Sequence, residues 1–378
     1  MMDFADFHAG VYRQQYQYRS FVPAPVNHGW TWHDPSIHTL LAEANRKLGE
    51  LNAFSMLVPN VDRFIQMHVV KEAQTSSHIE GTKTEMDEAM QEDPSEIEPE
   101  RREDWREVRN YVAAMNNAIE ELGRLPFSMR LLCQAHETLM QGVRGAHKTP
   151  GAFRRSQNWI GGATLADAVF VPPHHDDVPE LMGDLEAFWH NEEIQVPELI
   201  RIALSHYQFE TIHPFLDGNG RIGRLFIPLY LVSKGVLHKP CLYLSDHLDK
   251  HRQYYIDSLT RVRLGNDLNH WIRFFLVAII ETASKGTKTF HSILQLRGEV
   301  EEIIRSQRSA TNAALVMECF YRKPLLTCPE VAKRTGLSQP TCDRFLVALR
   351  NAGVLREITG KSRFRVFLFQ RYYDLFAE

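Results

Sequence analysis

The sequence predicts a mostly α-helical protein with one small β-hairpin and a C-terminal winged helix-turn-helix domain. Three observations lead there. Apolar residues recur at helical spacing along most of the 378 residues. A single glycine- and proline-rich stretch, about 142–173, interrupts that pattern with short β-prone pieces. The last part of the chain is basic and runs helix, helix, turn, helix, hairpin. At roughly 150 residues per domain the length amounts to about two and a half domains, and 44% hydrophobic with 24% charged residues is the composition of a folded globular chain.

The first predicted helix runs from Ser36 to about Leu57 on Leu40, Leu41, Ala44, Leu48 and Leu51, with Pro59 closing it. A second covers about Val61 to Ser77. Asp87 to Glu103, rich in acid and holding two prolines, reads as an exposed loop or weak helix. Helices return at Trp105–Leu122 and Ser128–Met140, so the first third reads as all helix. A hairpin is predicted where Asn158-Trp159-Ile160 and Ala168-Val169-Phe170-Val171 flank Gly161-Gly162. Further helices are predicted at 178–191, 197–212, 221–234, 245–263 and 269–284, with a bend at Pro228. A long polar helix, about 290–307, then leads to helices at 310–321, 329–335 and 339–352 and strands at 355–359 and 364–369.

No run of eighteen uncharged apolar residues occurs, and the start lacks the basic and apolar regions of a secretory signal. Neither a membrane span nor secretion is expected. The five cysteines form no CxxC pair, which suits reduced thiols in a cytoplasm. Residues 308–378 hold twelve Lys/Arg against six Asp/Glu, whereas the whole chain carries a net charge of -4. A basic tail on an acidic body suggests that the two parts meet different partners.

The stretch that carries chemistry is His213-Pro214-Phe215-Leu216-Asp217-Gly218-Asn219-Gly220-Arg221-Ile222-Gly223-Arg224, set between two helical patterns. Its glycines let amides converge just before a helix N-terminus, where the helix dipole favours an anion. Arg221 and Arg224, three apart, fall on one face and suit phosphate oxygens. Asp217 is a hard oxygen ligand of the kind Mg²⁺ takes. His213 can accept a proton near neutral pH. Together they describe a phosphoryl- or nucleotidyl-transfer site.

Position by position this stretch resembles the Fic family signature, HxFx(D/E)GNGRxxR. The resemblance implies a helical core of about 111–285 behind an N-terminal helical region of about 1–110, a linker helix at 286–308 and the winged domain at 309–378. It also implies transfer of AMP from ATP to a hydroxyl side chain of a protein. His213 would be the general base. Asp217 would hold Mg²⁺ on the phosphates, and Gly218, Asn219 and Gly220 would form the anion loop that continues into Ile222 and Gly223. Arg221 would support the phosphates and Arg224 would hold the γ-phosphate.

On residues alone, Ser76 to Gly81 is a helix end with a solvated glutamate. It also resembles the family's inhibitory-helix pattern, (S/T)xxxE(G/N). By that resemblance the helix at about 61–81 restrains the enzyme: Glu80 would pair with Arg224 where the γ-phosphate belongs, supported by Ser76. The hairpin at about 157–173 resembles the family's flap, which aligns a target segment, and it reads equally as a surface hairpin with Trp159 packed inward. Tyr254 and Tyr255 stand where relatives place residues near the adenine, and core packing is the alternative. Adjacent His174 and His175 read as solvated rather than as a metal pair.

In the tail, Arg344, Arg350, Lys361, Arg363 and Arg365 could meet the phosphates of duplex DNA, while winged helices also bind proteins, a second copy included. Two further readings of function stand beside protein adenylyl transfer. One is a DNA-binding regulator whose nucleotide site senses ATP, and the other is an enzyme of the same family that moves a different group.

Overall fold

The computed structural model describes residues 1–57, 61–145, 147–305, 309–361 and 365–377, with side chains at all of these but 63 and 377. The expectations for Pro59, Gln307, Ser362, Arg363 and Phe364 fall outside those residues. The chain begins with strands β1 (Met2–Asp3), β2 (Gly10–Gln14), β3 (Arg19–Pro23) and β4 (Trp30–Thr31). Helices α1 (Pro35–Leu57), α2 (Val61–Ile79), α3 (Met86–Ala89), α4 (Arg102–Glu121) and α5 (Met129–Leu139) follow. After an irregular stretch come α6 (Val178–His190), α7 (Glu198–Ile212), α8 (Asn219–Ser233), α9 (Ser245–Lys250), α10 (Arg252–Gly265) and α11 (Leu268–Arg305). The tail contains α12 (Ala310–Arg322), β5 (Leu325–Thr327), α13 (Cys328–Thr335), α14 (Gln339–Asn351), β6 (Arg356–Glu357), β7 (Val366–Leu368) and α15 (Gln370–Ala377).

Helices α7 and α8 are buried on nearly every face, which makes them the middle of the bundle. The turn between them, 213–218, is thereby held at one end of a rigid pair. Helix α8 continues past Pro228 without ending there. Helix α1 lies along α11, close enough that a Cβ on Gly286 would come 3.0 Å from a Leu51 methyl. Helix α2 is sandwiched between α4, α9 and α12.

Four expectations need correction. The first third is not all helix: β1 pairs in parallel with β4, and β2 pairs antiparallel with β3. These strands of two to five residues are too short to leave a period, and an aromatic cluster of Phe4, Phe7 and Trp30 holds the first pair. The helices predicted at 269–284 and 290–307 are one 38-residue helix, α11, whose middle, 284–289, holds no large apolar residue to betray it. The helix predicted over 245–263 breaks at His251 into α9 and α10.

The predicted hairpin is reduced to a single bridge, Ile160 with Phe170. Its arms are cross-linked by side chains instead of a ladder. Gln157 Nε2 donates to the carbonyls of Pro172 and Pro173, residues that have no N–H to offer a partner strand. Between the arms, a capping box of Thr164 and Asp167 closes a short 3-10 turn.

The tail forms the winged arrangement as expected. The strands lie in the order β5-β7-β6, all antiparallel. Thr327 and Glu330 cap α13 reciprocally, and Gly336 at φ 73° ends it, which sets the turn into α14. Strand β5 and helix α15 left no signal that was read from the sequence. Helix α15 returns to the body, where Phe376 meets His68 of α2 at 5.0 Å between ring centroids.

Candidate active site

His213 is the C-cap of α7, at φ 52° and ψ 61°. A left-handed residue other than glycine costs about 1–3 kcal/mol and persists only where its surroundings fix it. Here they do. Its carbonyl accepts from Arg154 Nε at 2.9 Å and from Asn158 Nδ2 at 3.1 Å. Buried Arg154 also donates to the carbonyls of Ile212 and Pro173. Asn219 staples the turn from the other side, its side chain bonding the N–H and the carbonyl of Phe215, both at 2.8 Å. His136 accepts the Gly151 N–H at Nδ1, so its Nε2 carries a proton, which it donates to the Asp217 carbonyl at 3.0 Å.

The His213 imidazole is 19% exposed, and its buried Nδ1 has no hydrogen-bond partner among the described residues. Burial, with the charges of Arg263 and Arg154, pushes its pKa down to about 4. The ring is therefore neutral at physiological pH and free to accept a proton. Glu210, one turn back on α7, places Oε2 3.9 Å from that Nδ1. Its carboxyl is buried among Arg224, Glu80 and Arg263, and burial lifts it to about 7. Glycine at 223 makes room for it, since a Cβ there would overlap the Glu210 carboxylate.

Asp217 opens the loop, with Oδ1 accepting the Gly218 N–H at 2.7 Å and Oδ2 bonded to Lys148 Nζ at 2.9 Å. Burial opposes its charge, but the bond to Lys148 and that ammonium's charge outweigh it and hold the carboxyl low. Gly218 sits at φ 75° as the N-cap of α8. The first turn of α8 thus presents its N–H groups and the positive end of its dipole to the cleft. Arg221 is buried and turned toward α4, where Glu107 accepts its NH1 at 3.0 Å.

Arg224, 2% exposed, makes three bonds to the end of α2: Nε to Ser76 Oγ at 2.9 Å, and NH2 to the Ser76 carbonyl at 2.8 Å and to Glu80 Oε1 at 2.7 Å. The Glu80 carboxylate lies directly over the start of α8, where a Cβ on Gly220 would overlap it. Burial works against its charge, and Arg224 more than compensates, keeping Glu80 ionised. Helix α2 is pinned in this position by buried Glu72, which accepts from Tyr111 of α4 and from the N–H and hydroxyl of Ser245 on α9.

The predicted residues are therefore brought together with one division among them. His213, Asp217, Gly218, Gly220, Arg224, Glu80 and Ser76 gather around the turn 213–218 and the start of α8. The side chains of Asn219 and Arg221 brace the loop, and Ile222 and Gly223 form the buried first turn of α8. Tyr255 is a core residue, with its hydroxyl donating to His206 Nε2 at 2.8 Å while His206 Nδ1 donates to the Gly223 carbonyl at 2.9 Å. Tyr254 is half exposed and packs on His270 and Phe274. Trp159 is 40% exposed rather than packed inward, and Val169 on the other arm is exposed as well.

Lys148, Glu210, Arg154, Asn158, His136 and Glu72 were not singled out in the sequence. Glu210 alone had a local signal, an acid three residues before the candidate base within an otherwise buried helix. In the tail, Arg344, Arg350 and Lys361 are exposed, Arg365 pairs with Asp343, and Arg334 reaches Glu92 of the body at 2.8 Å.

Residues 38–120 match the model of the Fic/DOC family N-terminal region and residues 126–231 that of the Fic/DOC family, together half of the chain. The chain belongs to the Fic/DOC family. Residues 309–358 match the IclR helix-turn-helix domain. Among curated proteins it is 26% identical over 246 residues to a "Probable protein adenylyltransferase" of Aquifex aeolicus, covering 63% of this chain and 66% of that one. It is 31% identical over 125 residues to the protein adenylyltransferase Fic of Aedes aegypti, covering 33% of this chain and 22% of that one. The chain thus spans just under two thirds of the first relative and under a quarter of the second.

Among solved structures, a Fic family protein from Desulfovibrio desulfuricans superposes with a TM-score of 0.56 at 23% identity, covering 89% of this chain and 96% of that one. Fic-1 from C. elegans gives 0.51 at 18% identity, over 69% and 74%. These likenesses establish the fold.

Proposed function

We propose that this chain is a protein adenylyltransferase that transfers AMP from ATP to a hydroxyl side chain of a protein, itself included, and that Glu80 restrains it. The observation that carries the reading is the Glu80 carboxylate seated on Arg224 over Gly220: an anion already occupies the helix N-terminus that a phosphate would take. The target oxygen forms a bond to the α-phosphorus, the bond to the bridging oxygen breaks, pyrophosphate leaves, and His213 takes the hydroxyl proton. Arg224 would receive the γ-phosphate once Glu80 withdraws. The exposed edge around Trp159 and Val169 would align the target segment, and Tyr254 would lie toward the adenine side.

A divalent cation fits Asp217, whose carboxylate is ionised, partly open to solvent and already paired with the Lys148 ammonium. Bound there, Mg²⁺ would offset phosphate charge. Intact-mass analysis of the chain after incubation with ATP and Mg²⁺ tests the reading. An added adenylyl group supports it. A product formed only from another donor would establish a different transferred group, and bound nucleotide without any covalent product would establish a sensor.

Glu210 gives this chemistry an expected pH signature. Among the groups facing it, His213, Arg224, Glu80, Arg263 and Tyr255, only His213 gains a proton in the reaction. An ionised Glu210 stabilises that imidazolium and a protonated one does not. Since Glu210 ionises at about 7, Glu210→Gln is expected to match the parent chain near pH 6 and to lag above pH 7, by up to about tenfold, the worth of one pKa unit. A ratio of rates that stays constant across pH would mean that Glu210 only fills space.

The winged domain supports a second activity, binding of duplex DNA. Exposed Arg344, Arg350 and Lys361 are its phosphate contacts in this reading. Affinity of the full chain for duplex DNA is expected to fall steeply with salt. Arg344→Ala with Lys361→Ala should lower the slope of log affinity against log salt by about 2, one per lost contact. Anisotropy at several salt concentrations reads this directly, and no binding at low salt would assign the domain to a protein partner.

A further inference from the structure

Where α9 meets α11, three side chains that the transfer chemistry does not use approach one another. His247 lies on α9, His251 stands one turn later at the break before α10, and Glu281 faces them from α11. One ligand atom from each lies within 4.8 Å of the others. His247 Nδ1 is 3.2 Å from Glu281 Oε2, and the two imidazole centroids are 4.5 Å apart.

Metal–ligand bonds of about 2.0–2.1 Å in tetrahedral geometry place neighbouring ligand atoms about 3.3 Å apart. The His247–Glu281 separation of 3.2 Å is close to that value, and the ligand atom of His251 lies within 4.8 Å of both. Glu281 and His251 are exposed, which leaves a fourth position for water.

We infer that His247, His251 and Glu281 form a binding site for one divalent transition-metal ion of the zinc type. Two imidazoles and a carboxylate suit Zn²⁺, Co²⁺ or Ni²⁺, whereas Mg²⁺ prefers oxygen ligands and several waters. The site is therefore chemically distinct from Asp217. The ion would fasten α9 to α11. Helix α9 is also the element that holds α2, through Ser245 on Glu72 and through Asp249, which bonds His78 at 2.9 Å. A metal here would stiffen the cradle of α2 whatever reaction the cleft performs.

The test uses the full chain, stripped with a chelator and titrated with zinc chloride against a chromophoric competitor. One equivalent is expected to bind, and His251→Ala and Glu281→Gln are each expected to weaken it by about 100-fold, since losing even an outer-shell partner costs about 10–100-fold. Both residues are exposed, so circular dichroism should show the fold intact. His174→Ala with His175→Ala, which removes the other histidine cluster, on a 3-10 turn, should leave the equivalent in place. Cobalt in place of zinc should give the intense visible bands of a four-coordinate ion, absent in His251→Ala. No stoichiometric binding, or binding that survives both His251→Ala and Glu281→Gln, overturns the inference.

Discussion

Replacing His213 by alanine is expected to lower transfer by roughly two to four orders of magnitude, the usual contribution of a positioned base, while nucleotide binding stays near normal. The geometry separates the two effects. The His213 backbone is held by Arg154 and Asn158 through its carbonyl, and that carbonyl survives the substitution. Among the described residues, no hydrogen bond or ion pair joins the imidazole to the proposed anion-binding segment, Gly218 to Arg224. Alanine at φ 52° carries the cost of a left-handed L residue, about 1–3 kcal/mol, against the same backbone bonds that fix the turn, so the fold should hold. Nucleotide affinity by calorimetry and product by intact mass would be read on the same preparation. A His213→Ala chain that modifies protein at the parent rate would remove the base from the mechanism.

The opposite sign is expected at Glu80. Glu80→Gly should raise transfer by about 10- to 100-fold, because a charge-assisted hydrogen bond of about 1.5–3 kcal/mol no longer competes with phosphate for Arg224. Arg224→Ala in the same background should erase the gain, so the two substitutions should be strongly non-additive. Stability should change modestly. Arg224 loses a carboxylate partner, yet it keeps both bonds to Ser76 and the field of Glu210. Glu80 itself is 40% exposed, so water can enter where it stood. A loss of about 1–3 kcal/mol, the cost of leaving a buried group unsatisfied, is the upper range. Chemical denaturation of the two chains would measure it.

The site was more legible in the sequence than its scaffold. Twelve contiguous residues, 213–224, carry the proposed base, metal ligand, anion loop and arginine, and contiguity is what reading along a chain detects. The Ser76–Glu80 segment was legible only beside them, since a glutamate at a helix end has no special chemistry until Arg224 is placed against it. Residues that act by long-range contact had no such signal. Lys148 reaches Asp217 across 69 positions and Arg154 reaches His213 across 59. Tyr255 shows the converse, where the family resemblance suggested a ligand contact and burial against His206 makes it a support beneath Gly223. The helices were read well wherever one face is apolar. The short strands at 2–31 were missed because their pairing joins segments that local periodicity does not connect.

The most direct measurement places the same three chains, the parent, Glu80→Gly and Glu80→Gly with Arg224→Ala, with Mg²⁺ and ATP labelled either on the α- or on the γ-phosphate, and follows label retained on protein. The expected result is retention from the α-label alone, faster in Glu80→Gly than in the parent and lost again in the double variant. Retention of the γ-label would make the reaction phosphoryl transfer, and equal rates in the parent and a folded Glu80→Gly would make Glu80 an ordinary helix end.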